Sequence, residues 1–471
     1  MTKFRQQGSE DPIATLCRMV LQTQYDDFPD KAMTHVRHTL LDTMGVTIGG
    51  SAMDGISAVV SLVKERGGDP QTPIPFYGGR VPANEAALAI GPMTRATDCG
   101  DQHEAAGHVT EYVLPTLLGA LGLCGPVSGK AFLTAMAVGQ EVLVRLGTAY
   151  RVINGAVKNN ECGGHYIFGA VAAVGRLMGL TQEQLENAQG IARTMTQPNT
   201  MSIYSPATLM VRVHHGLVAQ SAITCCQLAL RGITGPRNEV LLGPKGYFAT
   251  ARWETDPDFI LRELGTKWEL ETITTKGYSA CYFSHSAIEA IRDLIKEYHF
   301  SAADIASIHI QVSQSGWRAV CEPQEKKWNP ITVPDCQFSL PYVVALAAYD
   351  DEVFLASYSD ENRARPEIRE LMTRITAEMS PDISDWGARL SVKLHDGREL
   401  HKECTHVKGT PANPFSEEDF KAKFKLCLPF SALPLTQEAS DKMIHEIMHL
   451  EDIDDVSSVL LEPLLPDLMT R

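Results

Sequence analysis

Four short stretches gather side chains able to move protons or hold anions, within sequence that is otherwise apolar and rich in small residues. The first is Asp98-Cys99-Gly100-Asp101-Gln102-His103-Glu104-Ala105-Ala106-Gly107-His108. The second is Gly163-Gly164-His165 and the third Arg212-Val213-His214-His215-Gly216. The fourth is Lys276-Gly277-Tyr278-Ser279-Ala280-Cys281-Tyr282-Phe283-Ser284-His285. Six of the 15 histidines fall in these stretches. Histidine titrates near neutrality and suits acid or base work. Lysine and arginine hold carboxylates and stabilise developing negative charge. The stretches at 163–165 and 212–216 open helical patterns, where free N–H groups and the positive end of the helix dipole favour an anion.

Each residue also has a plainer reading. A lone histidine at a helix start is often a cap or a packed core residue, which applies to His103, His214 and His285. Asp98 reads equally as a buried N-cap, and Arg212 as the partner of a surface carboxylate. The cysteines read as reduced core residues, with Cys281 the one beside the ionisable stretches. Short motifs narrow the field. Gly119, Gly122 and Gly125 do not match the dinucleotide fingerprint, Gly129-Lys130 lacks the rest of a phosphate loop, and no G-x-S-x-G occurs. His103 and His108 are five apart, about 140° around a helix, so they do not reproduce H-E-x-x-H. No metal site is expected. Spacing alone leaves a helical enzyme with its site unplaced.

Whole-chain properties exclude other classes. The chain has 471 residues, 44% hydrophobic and 21% charged, so a globular protein of two domains is expected. A net charge of −15 disfavours wrapping nucleic acid and binding anionic membrane surfaces. An anionic substrate then needs a local cationic pocket. Eleven cysteines include no C-x-x-C pair, no N-terminal apolar run resembles a signal peptide, and no uncharged stretch is long enough to span a membrane. A soluble cytoplasmic protein is expected.

The elements that must position these residues read as helix after helix through residue 270. Helical patterns run over 31–47, 84–97, 128–149, 163–179 and 215–231, with Ser128 suited to cap one and Thr181 to Gln184 forming a capping box. From 271 the character changes. Ser307–Ser313 and Arg389–Leu394 alternate as half-buried strands, the second running into a hairpin turn at His395–Arg398. Helical patterns at 285–298, 338–349 and 365–378 lie between or around them. The fold class expected is therefore mainly α: a large all-α helical domain, 1–270 plus 406–471, with a smaller inserted α+β domain, 271–405. The tail from Pro414 is expected to pack back on the N-terminal helices.

Taken in order, the pieces resemble the MmgE/PrpD family, which includes 2-methylcitrate dehydratases, cis-aconitate decarboxylases and iminodisuccinate epimerases. The pieces are Leu41-Asp42-Thr43-Met44-Gly45, Asp98 to His108 followed by Val113-Leu114-Pro115, and Gly164-His165 with Gly169 and Ala172-Ala173. His215-Gly216 with Ala219, Lys276-x-Tyr278-x-x-Cys281-x-Phe283-x-His285 and Gln337-Phe338-Ser339-Leu340-Pro341-Tyr342 complete them. The resemblance implies a homodimer that works on a small carboxylate without a metal or organic cofactor. It places Asp98, His108, His165 and Lys276 in the site. His108 and His165 become acid or base, Asp98 an orienting carboxylate or base, and Lys276 with Arg212 carboxylate clamps. His215, Tyr278, His103, Gln102 and Trp317 are further substrate-binding positions.

The chain also departs from the family. Asp98-Cys99-Gly100-Asp101-Gln102 stands where Asp-Phe-Asp-Asp-Thr is common, and His108-Val109-Thr110 where His-Pro-Ser is. A family lysine falls at Val211, beside Arg212, and Trp317 stands where tyrosine can occur. The expected reaction is dehydration or decarboxylation, with epimerisation as the alternative and a non-catalytic helical binding protein as a second. The four stretches are expected to converge on one pocket between the two domains.

Overall fold

Asp11 starts the first helix, α1 (Pro12–Gln22), by accepting the Ile13 amide, and Pro12 follows where a missing N–H costs nothing. The computed structural model describes residues 3–153, 156–157, 163–196, 208–252 and 254–466. Next come α2 (Asp30–Gly50), α3 (Ile56–Arg66), α4 (Ala83–Arg95), α5 (Thr110–Cys124) and α6 (Gly129–Arg151). Then follow α7 (Tyr166–Leu177), α8 (Gln182–Thr194) and α9 (Met210–Leu230). The later chain carries α10 (His285–Tyr298), β1 (Ile305–Val312), α11 (Leu340–Tyr349) and α12 (Pro366–Met372). β2 (Ile375–Met379), β3 (Ala388–Leu394), β4 (Glu399–Cys404), α13 (Glu417–Cys427) and α14 (Gln437–Met448) complete it. The fold is mainly α. The Ser128 hydroxyl accepts the Ala131 amide at the start of α6, and Thr181 and Gln184 form the expected capping box.

The chain divides into two compact units. One comprises Met1–Thr200, Arg212–Ile273 and Ser416–Arg471; the other comprises Met201–Val211 and Thr274–Phe415. In the first unit, small residues decide how closely helices approach. A Cβ added at Gly139 of α6 would lie 2.6 Å from the Ala173 Cβ of α7, and one at Gly169 of α7 2.6 Å from the Leu143 Cβ of α6. Gly216 of α9 meets α4 in the same way: its added Cβ would fall 2.4 Å from the Leu88 carbonyl oxygen. The tail does pack back. α13 lies on α2, where Gly45 meets Phe424 and the Lys423 ammonium sits 2.6 Å from Asp42 Oδ1.

Midway along α6, Arg145 and Glu141 are fully buried and paired with each other. Arg145 donates to the carbonyls of Phe259, Ile260, Arg262 and Lys267, and Glu141 accepts the Leu270 amide at 2.9 Å. These bonds attach the segment 259–270 to the helix.

The second unit holds a four-stranded sheet in the order β4-β3-β1-β2, with α10 packed on β3 and β4. β1 and β3 pair antiparallel, and β3 turns into β4 through Asp396-Gly397, where Gly397 has φ 92°. The 365–378 pattern is not one helix: α12 ends at Met372, and residues 375–379 become β2, parallel to β1. β2 is an edge strand buried at Ile375 and largely exposed beyond it, so its sequence carries no two-sided alternation. Among the described residues no helix is long and apolar enough to cross a membrane.

Candidate active site

The loop 98–109 is held by the start of α5. The Asp101 carboxylate accepts the Thr110 amide at 2.7 Å, with the Val109 and Glu111 amides at 3.5 and 3.4 Å. Asp101 is fully buried, and that burial, with the neighbouring Glu111 charge, pushes its carboxyl up to about 7. Asp98 adopts φ +50°, a left-handed conformation that aspartate tolerates better than most side chains. Its carboxylate pairs with Arg95, three residues earlier in the last turn of α4, and both are buried.

Glu111, in the first turn of α5, is the centre of the buried charges. Its Oε2 lies 2.9 Å from His108 Nδ1, 3.5 Å from His215 Nε2 and 3.7 Å from Arg95 Nε. Gly100 leaves the space for it, because an added Cβ there would sit 2.0 Å from Glu111 Oε1. Burial alone would raise the Glu111 carboxyl, but the charges and hydrogen bonds of His108, His215 and Arg95 outweigh it and hold the group well below the usual carboxylate range. His108 Nδ1 is also 3.0 Å from the Asp101 carbonyl oxygen.

Aromatic rings carry the cluster on to His165. Tyr112 stacks on His215 at 3.9 Å between centroids and on Tyr166 at 4.2 Å, and its hydroxyl is 3.0 Å from His214 Nδ1. Tyr166 in turn lies 4.3 Å from the ring of His165. His165 Nε2 is 3.0 Å from the Ala106 carbonyl oxygen. A carbonyl only accepts, so Nε2 carries the hydrogen and Nδ1 the lone pair. That Nδ1 has no hydrogen-bond partner among the described residues, and burial pushes His165 down to about 3. The ring is neutral at ordinary pH, with Nδ1 as its acceptor atom. Arg212, at the start of α9, donates from Nη1 to the Asp54 carbonyl at 2.7 Å, while its Nη2 has no hydrogen-bond partner among the described residues. Burial lowers this guanidinium to about 10, which leaves it charged at neutral pH.

Two expected substrate contacts are already engaged in holding the loop. His103 Nδ1 accepts the amides of Ala105 and Ala106 at 3.1 and 2.9 Å, and its Nε2 meets Thr272 Oγ1 at 2.9 Å. Gln102 donates to the His103 carbonyl at 3.3 Å.

In the second unit, the buried Lys276 donates to the Ala280 carbonyl at 3.3 Å, and His285 Nε2 reaches the same oxygen at 3.2 Å. Tyr278 lies 5.1 Å from the His285 ring and lines a cavity of about 720 Å³ with Glu289, Arg292, Asp293 and Lys408. Burial raises its phenol above the ordinary value. Trp317, half-buried, opens a π-helical turn, Trp317–Cys321. Such turns are frequent at functional sites.

Residues 14–259 match the MmgE/PrpD N-terminal domain and residues 278–450 the MmgE/PrpD C-terminal domain. The chain belongs to the MmgE/PrpD family. It is 25% identical to a cis-aconitate decarboxylase of Aspergillus terreus, covering 94% of each chain. It is 24% identical to a cis-aconitate decarboxylase-like protein of Aspergillus oryzae, over 95% of this chain and 96% of the relative. The cis-aconitate decarboxylase of Homo sapiens is 23% identical, over 91% of this chain and 89% of the relative.

In this MmgE/PrpD chain the structure joins Asp98, His108 and His215 around two residues that sequence reasoning passed over, Arg95 and Glu111. The available signal was spacing: Arg95 with Asp98 and His108 with Glu111 are each three apart, as neighbours on one helical face would be. His108, Glu111 and His215 also form a group whose donor atoms lie within 4.8 Å of one another, close enough to enclose a metal ion.

Proposed function

We propose that this MmgE/PrpD protein is a lyase acting on a small di- or tricarboxylate, by decarboxylation or dehydration, with no metal or organic cofactor. The observation that carries the proposal is the joining of two proton-carrying histidines to a buried set of cations and carboxylates, in a chain similar over its length to cis-aconitate decarboxylases. In decarboxylation the C–C bond to the departing carboxylate breaks, its electron pair stays on carbon, and a histidine protonates that carbon. In dehydration a base takes a C–H proton, and hydroxide leaves with a proton from an acid. The neutral His165, whose Nδ1 has no hydrogen-bond partner among the described residues, is the proposed base. His108 beside a carboxylate suits the acid. Lys276 and Arg212 hold substrate carboxylates, and Asp98 fixes Arg95. Tyr278, His215 and Trp317 complete the set of proposed substrate-facing residues, and Gln102 and His103 hold the loop that carries His108. The second unit is read as an α+β domain inserted into an all-α one, and the protein as a cytoplasmic homodimer.

The test is turnover of citrate, methylcitrate, cis-aconitate and amino-dicarboxylates, followed by proton NMR in heavy water. An alkene or CO₂ supports the lyase. Deuterium incorporation with no change of composition identifies an epimerase and overturns the lyase. A monomer by sedimentation at micromolar concentration overturns the dimer.

A further inference from the structure

The acceptor atoms beside His108 Nδ1 carry an assignment beyond the proposed reaction. Two acceptors face a single ring nitrogen: the Asp101 carbonyl at 3.0 Å and Glu111 Oε2 at 2.9 Å from Nδ1. A backbone carbonyl has no proton to give, so the hydrogen in this contact belongs to the ring. The carboxylate beside it is fully buried, and the Arg95 guanidinium 3.7 Å away favours its ionised form. We infer that Glu111 is a positioning residue for His108: with the Asp101 carbonyl it fixes a proton on Nδ1, so every proton His108 exchanges with a substrate passes through Nε2. The arrangement is a buried carboxylate–imidazole pair in which the carboxylate sets the tautomer and favours the imidazolium. The inference rests on the reading of His108 as an acid–base group of the proposed site.

The charges around the pair come from every neighbouring element. Arg95 arrives from α4, and Asp98 and Asp101 from the loop. His214, His215 and Arg212 lie on α9, and Asp42 of α2 is tied to Lys423 of α13. Burial holds His214 and His215 below their ordinary values, so both rings are neutral and neither competes as a counter-charge for Glu111. The same three donors, His108, Glu111 and His215, lie within 4.8 Å of one another. A metal ion bound through His108 Nδ1 would need a lone pair there, where the Asp101 carbonyl calls for a hydrogen. It would also meet the Arg95 guanidinium beside the same carboxylate oxygen. The geometry favours the proton.

Nitrogen NMR of histidine-labelled protein tests this directly, with the His108 signals identified by their loss in His108→Gln. The expected neutral ring is protonated at Nδ1. In Glu111→Gln, which keeps an acceptor but removes the charge, His108 should titrate lower by about one pH unit or more while keeping its Nδ1 proton. Turnover should fall at least about tenfold, with KM nearly unchanged and the basic limb of the pH profile moved down. A neutral His108 protonated at Nε2 overturns the inference, and so does an unchanged titration in a folded Glu111→Gln. Zinc bound stoichiometrically to the purified protein and lost in Glu111→Gln overturns it in favour of a metal. The tautomer measurement on the unaltered protein decides the assignment even if the variant does not fold. Full turnover in His108→Gln overturns the catalytic reading of His108 and leaves the tautomer to the NMR.

Discussion

His165 donates through Nε2 to the Ala106 carbonyl, and burial near its ring holds it neutral down to about pH 3. It is therefore neutral with its lone pair at Nδ1, the atom at which the proposed mechanism has it accept a proton. His165→Ala should fold, bind substrate with nearly unchanged KM, and lose about 10²–10⁴ in turnover. Steady-state kinetics on a variant with native circular dichroism checks this, and unchanged turnover would pass the proton-transfer role to His108. Lys276→Ala should act differently, mainly raising KM, because a charge-assisted bond to a carboxylate contributes about 1.5–3 kcal/mol. These residues were legible in the sequence because histidine and lysine stand out in apolar, glycine-rich surroundings. Glu111 and Arg95 were not. An acid in the first turn of a helix and a base in the last complement the helix dipole, so each already has a sufficient local reason to be there. Only the Gly100 backbone and the α9 imidazoles, brought together by folding, show that Glu111 is buried among other charges.

Between α4 and α9 the backbones approach because neither helix has a side chain at the crossing. An added Cβ at Gly91 would lie 2.4 Å from Gly216 Cα. Gly216→Ala should force the helices apart, destabilise the protein by about 1–3 kcal/mol and lower activity, since His215 precedes it and Arg95 ends the opposite helix. Denaturant unfolding together with a kinetic assay measures both effects, and a variant as stable and active as the parent would show that the crossing is not tightly packed. The long helices were readable from their apolar faces, as α2 and α6 illustrate. Of the short strands, β4 was signalled only by the hairpin turn before it, and β2 not at all. β4 is buried chiefly at Leu400, and β2 derives its identity from pairing with β1, a contact more than sixty residues away in sequence. A helical reading of 365–378 fails there because nothing local ends the pattern at Met372.

For the whole molecule, burial sets the direction of acid sensitivity. His35 and His214 are held down to about 4, and His103 and His165 to about 3, against an ordinary 6.5. The unfolded chain therefore binds more protons at these sites between about pH 3 and 6.5, and the folded protein loses stability as pH falls through that window. Each such group adds up to about 1.4 kcal/mol per pH unit. Asp101 works in the opposite sense: its folded carboxyl titrates at about 7 against 3.8, so its contribution is present at low pH and is lost as pH rises toward 7. Melting temperatures measured from pH 4 to 7.5 should rise steeply to about pH 6.5, and Asp101→Asn should remove the opposing slope. The Arg145–Glu141 pair carries a further consequence for the segment 259–270, which has little regular structure of its own. Its carbonyls are bonded to Arg145 and the Leu270 amide to Glu141, both within the buried stretch Phe132–Gly147 of α6. Breaking those bonds requires opening the buried central turns of α6, so the Leu270 amide should exchange its hydrogen for deuterium only as slowly as the amides of those turns.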